Sequence, residues 1–191
     1  MKNLIHTFLI ASIVLVGCKD ENKKTEEAQD NVEEIVNVKE VVKDINLELE
    51  PKSESTAMGK VEITEKDGIV TLNARLLGLT PGMHAIHIHE KADCSAADAT
   101  SSGGHWNPTM QPHGKWGAET GYHKGDIGNF EADANGEGTI TLTTSEWCIG
   151  CGDESKDILG KAIIVHQGVD DFTTQPTGNA GGRVSCGGII Q

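Results

Sequence analysis

Residues 82–93 read Gly-Met-His-Ala-Ile-His-Ile-His-Glu-Lys-Ala-Asp. His87 and His89 are two positions apart, and side chains two apart on a β-strand leave by the same face, so both imidazoles can reach one metal ion. Isoleucine precedes each of them on the opposite face, as is typical of a strand that covers a core. His84 shares the parity of the isoleucines, so we predict a packed, hydrogen-bonded histidine rather than a ligand. For this stretch alone, the alternative is a surface strand with chance histidines.

Alternating apolar and polar residues flank two short turn sequences elsewhere in the chain. Residues 61–76 alternate around Asp67-Gly68, and residues 130–142 alternate around Asn135-Gly136. These dipeptides between alternating runs are strong hairpin signals. Further strand-like runs lie at residues 47–49, 162–166 and 183–190. Together they predict about eight short strands, and hence an all-β antiparallel sandwich or barrel.

Two long stretches lack this alternation, residues 90–124 and 167–181. Loops of this length in a compact domain are usually functional. We therefore expect these two loops to carry much of the site.

The N-terminus resembles an export signal followed by a lipid attachment site. Lys2 supplies positive charge, residues 4–16 are mostly apolar, and Leu15-Val16-Gly17-Cys18 resembles the bacterial lipobox. We predict a signal peptide over residues 1–17 and lipidation of Cys18, which would hold the chain at a membrane without a spanning helix. An ordinary secretory signal with an incidental cysteine is the alternative.

The sequence after the cysteine predicts a tether and then one folded domain. Residues 18–43 are dominated by Lys, Glu, Asp and Asn and bury too little apolar surface to fold alone. Residues 44–191 form the expected domain. The predicted location is extracytoplasmic, lipid-anchored in the bacterial envelope and facing either the periplasm or the cell surface.

The chain is strongly acidic. Its formal net charge is -13, with 29 acidic and 16 basic residues. Phosphate would be repelled, which excludes nucleic acid as a partner. Much of the negative charge lies in the tether and is screened beyond about 10 Å at ordinary salt.

Histidine is the residue type that points to metal chemistry. With His84 structural, six histidines remain after the signal peptide, and Asp126 lies three residues past His123. Imidazole suits copper and zinc, and a carboxylate among imidazoles suits zinc better. Seven donors fill two four-coordinate sites only if one imidazole is shared.

Six motifs in a fixed order identify a resemblance. They are GMHAIHIHE (82–90), GGHWNP (103–108), HG (113–114), HKGDIGN (123–129), VH (165–166) and GNAGGRVSCG (178–187). As a set they resemble the copper/zinc superoxide dismutases over about residues 46–191. The resemblance implies an eight-stranded Greek-key fold and the dismutation of superoxide to oxygen and hydrogen peroxide.

The resemblance also implies the metal ligands. Copper would be held by His87, His89, His105 and His166. Zinc would be held by His105, His113, His123 and Asp126. His105 is the shared imidazole, and its release of copper and uptake of a proton are part of the implied cycle, in which copper alternates between two oxidation states.

Three further residues receive roles from the resemblance. Asp170 would hydrogen-bond a ligand of each metal, His87 and His113, and so fix their orientation. Arg183 would guide and dock the superoxide anion, with Thr177 lining the same channel mouth. The family is a standard example of electrostatic steering and of diffusion-limited catalysis.

The cysteines after Cys18 divide into two pairs. Cys94 and Cys186 match the family's disulfide, which requires an oxidising compartment and therefore agrees with export. Cys148 and Cys151 belong to an insertion relative to the commoner family pattern. A local disulfide is the favoured interpretation of this second pair, and a redox-active or copper-binding pair is the alternative.

The sequence allows a second function and two assembly states. A non-catalytic lipoprotein that buffers or delivers copper is the competing function, and the assembly is either a monomer or a homodimer.

The loop over residues 167–182 contains no lysine, whereas steering in this family commonly uses lysines near the channel. We therefore expect a smaller salt dependence of the rate than steering lysines would produce.

Overall fold

The computed structural model describes residues 42–191 of the chain. The expected signal peptide, the expected lipidation site at Cys18 and all but the last two residues of the expected tether lie outside the described residues. Among residues 42–191, no helix is long and apolar enough to cross a membrane.

Within this range the chain forms eight strands and one short 3-10 turn. The strands are β1 (Lys43–Pro51), β2 (Met58–Lys66), β3 (Ile69–Leu77), β4 (Gly82–His89), β5 (Gly128–Ala132), β6 (Gly138–Thr144), β7 (Ala162–His166) and β8 (Arg183–Gly188). The 3-10 turn spans Thr100–Ser102. β1 begins at Lys43, one residue before the expected start of the domain, and the Lys43 ammonium donates to the Ile149 carbonyl at 2.6 Å.

The strands close into one antiparallel barrel in the order β1-β2-β3-β6-β5-β4-β7-β8. β3 pairs with β6 and β4 pairs with β7, so the chain crosses between distant strands in the Greek-key manner. The closing pair joins β1 to β8 at Pro51 and Ser185. The predicted eight-stranded antiparallel fold is confirmed.

The turn between β2 and β3 follows from its two residues. Asp67 and Gly68 both have positive φ, 52° and 74°, and the flanking residues Lys66 and Ile69 pair directly. Positive φ at both central positions is the geometry that matches the twist of a hairpin, and glycine adopts it without steric cost. This turn sets the register of nine residue pairs between the two strands.

From His84 to His89, β4 is buried on both faces. Ile86 and Ile88 belong to the main apolar core, whereas His87 and His89 leave by the other face and are completely buried as well. An antiparallel strand usually exposes one face to water. Here the two long loops, residues 90–127 and 167–182, cover the outer face, so the histidines lie between the barrel and these loops.

Candidate metal centre

The first donor group consists of histidines alone. Strand β4 contributes His87 and His89, the end of β7 contributes His166, and the first long loop contributes His105. One ring nitrogen from each of these four residues lies within 4.8 Å of the others, and all four side chains are buried. His105 reaches this group because its backbone forms an isolated bridge with His89.

One nitrogen of each strand-borne imidazole is held by the protein and the other is left without a partner. Nε2 of His87 contacts Asp170 Oδ2 at 2.9 Å, Nδ1 of His89 contacts the Gly103 carbonyl at 2.9 Å, and Nδ1 of His166 contacts the Gly181 carbonyl at 3.2 Å. The opposite nitrogens are buried and have no hydrogen-bond partner among the described residues. Buried unpaired nitrogens are costly, and a metal ion would satisfy all of them at once.

The second donor group centres on Asp126. Its carboxylate oxygens lie 2.9 Å from His105 Nδ1, 3.0 Å from His113 Nδ1 and 3.3 Å from His123 Nδ1. The four residues are buried, and their donor atoms lie within 4.8 Å of one another. His105 therefore belongs to both groups.

Backbone amides fix the Asp126 carboxylate. Its Oδ2 accepts hydrogen bonds from the N–H groups of Gly114 and His123, at 3.1 and 2.8 Å. His123 and Asp126 are also joined by a turn, in which the Asp126 N–H donates to the His123 carbonyl. This local turn explains why ligands three residues apart converge on one point.

Asp170 connects the two groups. Its two carboxylate oxygens contact Nε2 of His87 and Nε2 of His113, each at 2.9 Å. Asn129 in turn pairs with the backbone N–H and carbonyl of Asp170, both at 2.8 Å. Asn129 thus fixes the backbone of Asp170, and the carboxylate lies between one imidazole of each group.

Burial keeps the histidines of the first group neutral. It lowers the pKa of His105 to about 4 and that of His166 to about 3. It also holds the pKa values of His87 and His89 below their usual range. Neutral imidazole is the form that binds one metal, so at neutral pH His87, His89 and His166 need to lose no proton. His105 would have to lose its one ring proton to bind a metal through both nitrogens.

In the second donor group, contacts between carboxylates and imidazoles shift the pKa values of both. Burial raises the pKa of Asp126, but hydrogen bonds to His105 and His113 outweigh it and hold that pKa well below its usual range. Burial likewise lowers the pKa of His113, yet the contacts with Asp126 and Asp170 outweigh burial and raise it to about 9. Metal binding at this group would therefore release a proton from His113.

The donor sets fit the two expected metals. Four imidazoles suit copper, and three imidazoles with one carboxylate in a closed site suit structural zinc. A sequence profile of one family, copper/zinc superoxide dismutase (SODC), matches residues 57–189.

The chain belongs to the copper/zinc superoxide dismutase family. Two relatives are extracellular superoxide dismutases [Cu-Zn], from Caenorhabditis elegans and Haemonchus contortus, each 33% identical over 138 residues or 69% of this chain. The match covers 60% of the Caenorhabditis protein and 73% of the Haemonchus protein. This chain therefore spans less than two thirds of the first relative's length.

Solved structures give the same family likeness. A double mutant of a SOD-like protein from Bacillus subtilis, in which a tyrosine and a proline are replaced by histidine, superposes with a TM-score of 0.68 at 34% identity, covering 76% of this chain and 97% of that one. The unsubstituted SOD-like protein gives a TM-score of 0.67 at 32% identity. The family uses copper and zinc, and both donor groups described above could hold a metal.

Arg183 is close enough to the all-histidine group to act on it electrostatically. Its NH1 donates to the Ala99 carbonyl at 2.7 Å and to Ser102 Oγ at 3.1 Å, and the guanidinium is half-buried. Its charge contributes to lowering the pKa values of His89 and His166, which places it in electrostatic reach of both. The sequence predicted the arginine but not these two supports. Thr177 is half-buried in the second long loop, and its role at a channel mouth stays a prediction.

Both expected disulfide bonds are present in the structure. Cys94–Cys186 ties the first long loop to β8, three residues beyond Arg183. Cys148–Cys151 closes a short loop between β6 and β7. The loop that contacts Arg183 is therefore covalently attached to the strand that carries it.

His84 is a packed residue, as predicted. Its Nδ1 contacts the His166 carbonyl at 2.9 Å and its Nε2 contacts the Thr80 carbonyl at 2.8 Å. It is buried and is in neither donor group among the described residues. Its role is to fix the backbone behind His166.

Gln175 supports the second donor group in a way that sequence reasoning missed. Its side-chain oxygen accepts from the His113 N–H at 2.8 Å, and its side-chain nitrogen donates to the His113 carbonyl at 2.9 Å. The two residues are 62 positions apart, and no local pattern around Gln175 signals the contact.

Proposed function

We propose that the protein catalyses the dismutation of superoxide, in which two superoxide anions and two protons yield one oxygen and one hydrogen peroxide. Copper would be bound by His87, His89, His105 and His166. Zinc would be bound by His105, His113, His123 and Asp126. The proposal follows from the family membership and from the donor sets.

The observation that carries the proposal is the double use of His105. Its Nδ1 lies 2.9 Å from Asp126, and its Nε2 is buried without a hydrogen-bond partner among the described residues. A protein that only stores copper has no need of an imidazole common to two metal sites or of a guanidinium beside them. Dismutation uses both.

Each residue then has a defined task. Bound copper supplies a one-electron redox couple, and bound zinc holds the His105 imidazole and tunes its basicity. Arg183 attracts the anion and orients it through charge. His105 carries a proton at Nε2 when that nitrogen is free and passes it to the reduced product. Asp170 keeps the imidazoles of His87 and His113 in fixed orientations.

We also propose that the protein acts outside the cytoplasm. Export is supported by the predicted signal peptide over residues 1–17 and by two disulfide bonds, which persist in oxidising compartments. Two relatives are named extracellular, which is consistent with export. Anchoring through acylated Cys18, with residues 18–43 as a tether before the domain at 44–191, would place the enzyme at a bacterial membrane.

The test is superoxide dismutation per bound copper, measured on the purified protein loaded with copper and zinc. Arg183→Ala should lower the rate by on the order of tenfold, because the anion loses its docking charge. The matched control is Arg75→Ala, which removes an exposed arginine that lies 3.6 Å from Glu137 on the barrel. The control should retain the full rate.

Two outcomes would contradict this account, the first by refuting dismutation itself and the second by refuting the role of Arg183 alone. Stoichiometric metal with negligible turnover would favour the copper-buffering or copper-delivery function. Equal rates for Arg183→Ala and the wild type would show that Arg183 does not guide the anion.

A further inference from the structure

The ligands of the two metals differ in how the chain supports them. His87 and His89 lie on β4, and His166 ends β7, so three copper ligands are held by strands. The zinc ligands lie at residues 105–126, a stretch with no regular strand or helix. Backbone hydrogen bonds fix His105 and Asp126, and side-chain contacts can add to them, because a loop does not by itself hold a ligand in a fixed geometry.

Glu146 and Trp147 supply such contacts on both sides of His123. Tyr122 Oη donates to one carboxylate oxygen of Glu146 at 2.6 Å, and the Lys124 ammonium pairs with the other. Trp147 Nε1 donates to the Lys124 carbonyl at 2.8 Å. The residues immediately before and after the ligand are thus held by two consecutive residues that follow β6.

Aromatic packing reinforces this arrangement. The ring of Trp116 lies 5.1 Å from the ring of Tyr122 and 5.3 Å from that of Trp147, measured between centroids. Trp147 is 1% exposed and belongs to the barrel core. The Trp116–Trp147 pair has edge-to-face geometry, which stabilises beyond the burial of area alone. The segment over residues 105–126 is thereby joined to the core through three aromatic rings.

The segment that carries these two residues is itself fixed to the barrel. The Glu146 N–H donates to Thr144 Oγ1 at 2.9 Å. Ile149 is completely buried, and its N–H donates to Glu65 at 2.8 Å while its carbonyl accepts from Lys43 at 2.6 Å. A support that is anchored on β1 and β2 can transmit rigidity to the loop that it holds.

We propose that Glu146 and Trp147 are positioning residues for the zinc ligand His123, and that they set how long zinc stays bound. This inference rests on the zinc assignment made above. Neither residue contacts a donor atom, so their effect acts through the backbone on either side of His123. They were absent from the sequence expectations, which noted this segment only for its cysteines.

The experiment uses the purified protein with copper and zinc bound, and the same protein with cobalt(II) in place of zinc. Glu146→Ala removes both contacts of the carboxylate, and Trp147→Phe removes the N–H donor while it keeps an aromatic ring. Transfer of zinc to a chelator should become roughly tenfold faster or more in each variant. The cobalt absorption bands, which report ligand geometry, should shift. Glu119→Ala, an exposed acid of the same loop, is the control and should match the wild type.

Copper release is the second readout, and it separates positioning from general loosening. It should be unchanged in both variants, because three copper ligands lie on strands. Equal acceleration of copper and zinc release would overturn the proposal, as would variants that keep the wild-type zinc release rate and cobalt spectrum.

Metal binding by the wild type separates failure of the zinc assignment from failure of this inference. A wild type that fails to hold cobalt or zinc at this site would overturn the zinc assignment and this inference together. A wild type that holds zinc tightly, with unaffected Glu146→Ala and Trp147→Phe, would overturn this inference alone.

Discussion

The Cys94–Cys186 disulfide should contribute far more stability than Cys148–Cys151. The first pair is separated by 92 residues and the second by 3. In the chain-entropy description, a disulfide stabilises by restricting the unfolded chain, and the effect grows with the length of the closed loop. Loops of these sizes correspond to roughly 4.6 and roughly 1.6 kcal/mol of unfolding free energy.

Two matched variants test this difference. Cys94→Ala and Cys151→Ala each remove the more exposed partner and leave the buried one, Cys186 or Cys148, in its packed position. Urea unfolding of the metal-free proteins, followed by tryptophan fluorescence, would give the two free energies. Metal-free protein is needed because ions that bind only the folded state add their own stabilisation.

The expected result is a loss in Cys94→Ala that is more than twice the loss in Cys151→Ala. Equal losses, or a larger loss in Cys151→Ala, would refute the loop-length argument. The longer bridge also holds the loop that contacts Arg183, so Cys94→Ala should lower the dismutation rate while Cys151→Ala leaves it unchanged.

Three further predictions concern the site. Asp170→Asn should weaken the binding of both metals by about 10- to 100-fold, because the amide cannot accept from both imidazoles; unchanged affinities in metal titrations would contradict the bridging role. Gly178→Ala should release metal, because the added Cβ would overlap the Asp170 carboxylate and because the φ of +68° at this position disfavours alanine. The control is Gly182→Ala, which should bind metal normally since the nearest atom to its Cβ would lie 3.6 Å away. The dismutation rate should fall only gently as ionic strength rises, since residues 167–182 contain no lysine and Lys124 is paired with Glu146. A steep fall in stopped-flow rates would refute this.

Local patterns carried most of the fold prediction. The alternation in β2 and β3 marked which residues enter the core, and Asp67-Gly68 marked the turn between them. The parity of His84 separated it from its neighbours His87 and His89. These inferences succeeded because successive side chains of a strand point to opposite faces, so a short stretch of sequence shows which side chains share a face.

The contacts that hold the metal ligands in place could not be predicted from local sequence patterns. Gln175 contacts His113 across 62 residues, and Glu146 contacts Tyr122 across 24. The choice of ring nitrogen at each histidine was equally out of reach, since it depends on partners such as the Gly103 and Gly181 carbonyls.

The sequence by itself determined the strands and the turn chemistry, because these depend on residue type and on short spacings, and its resemblance to a known family implied the donor residues. Only the tertiary structure decided which nitrogens are left unpaired, how Arg183 is held and what fixes the loop around His123. Those features arise where segments distant in the chain meet. The barrel and the loops that cover it bring these segments together, so no local pattern encodes the contacts.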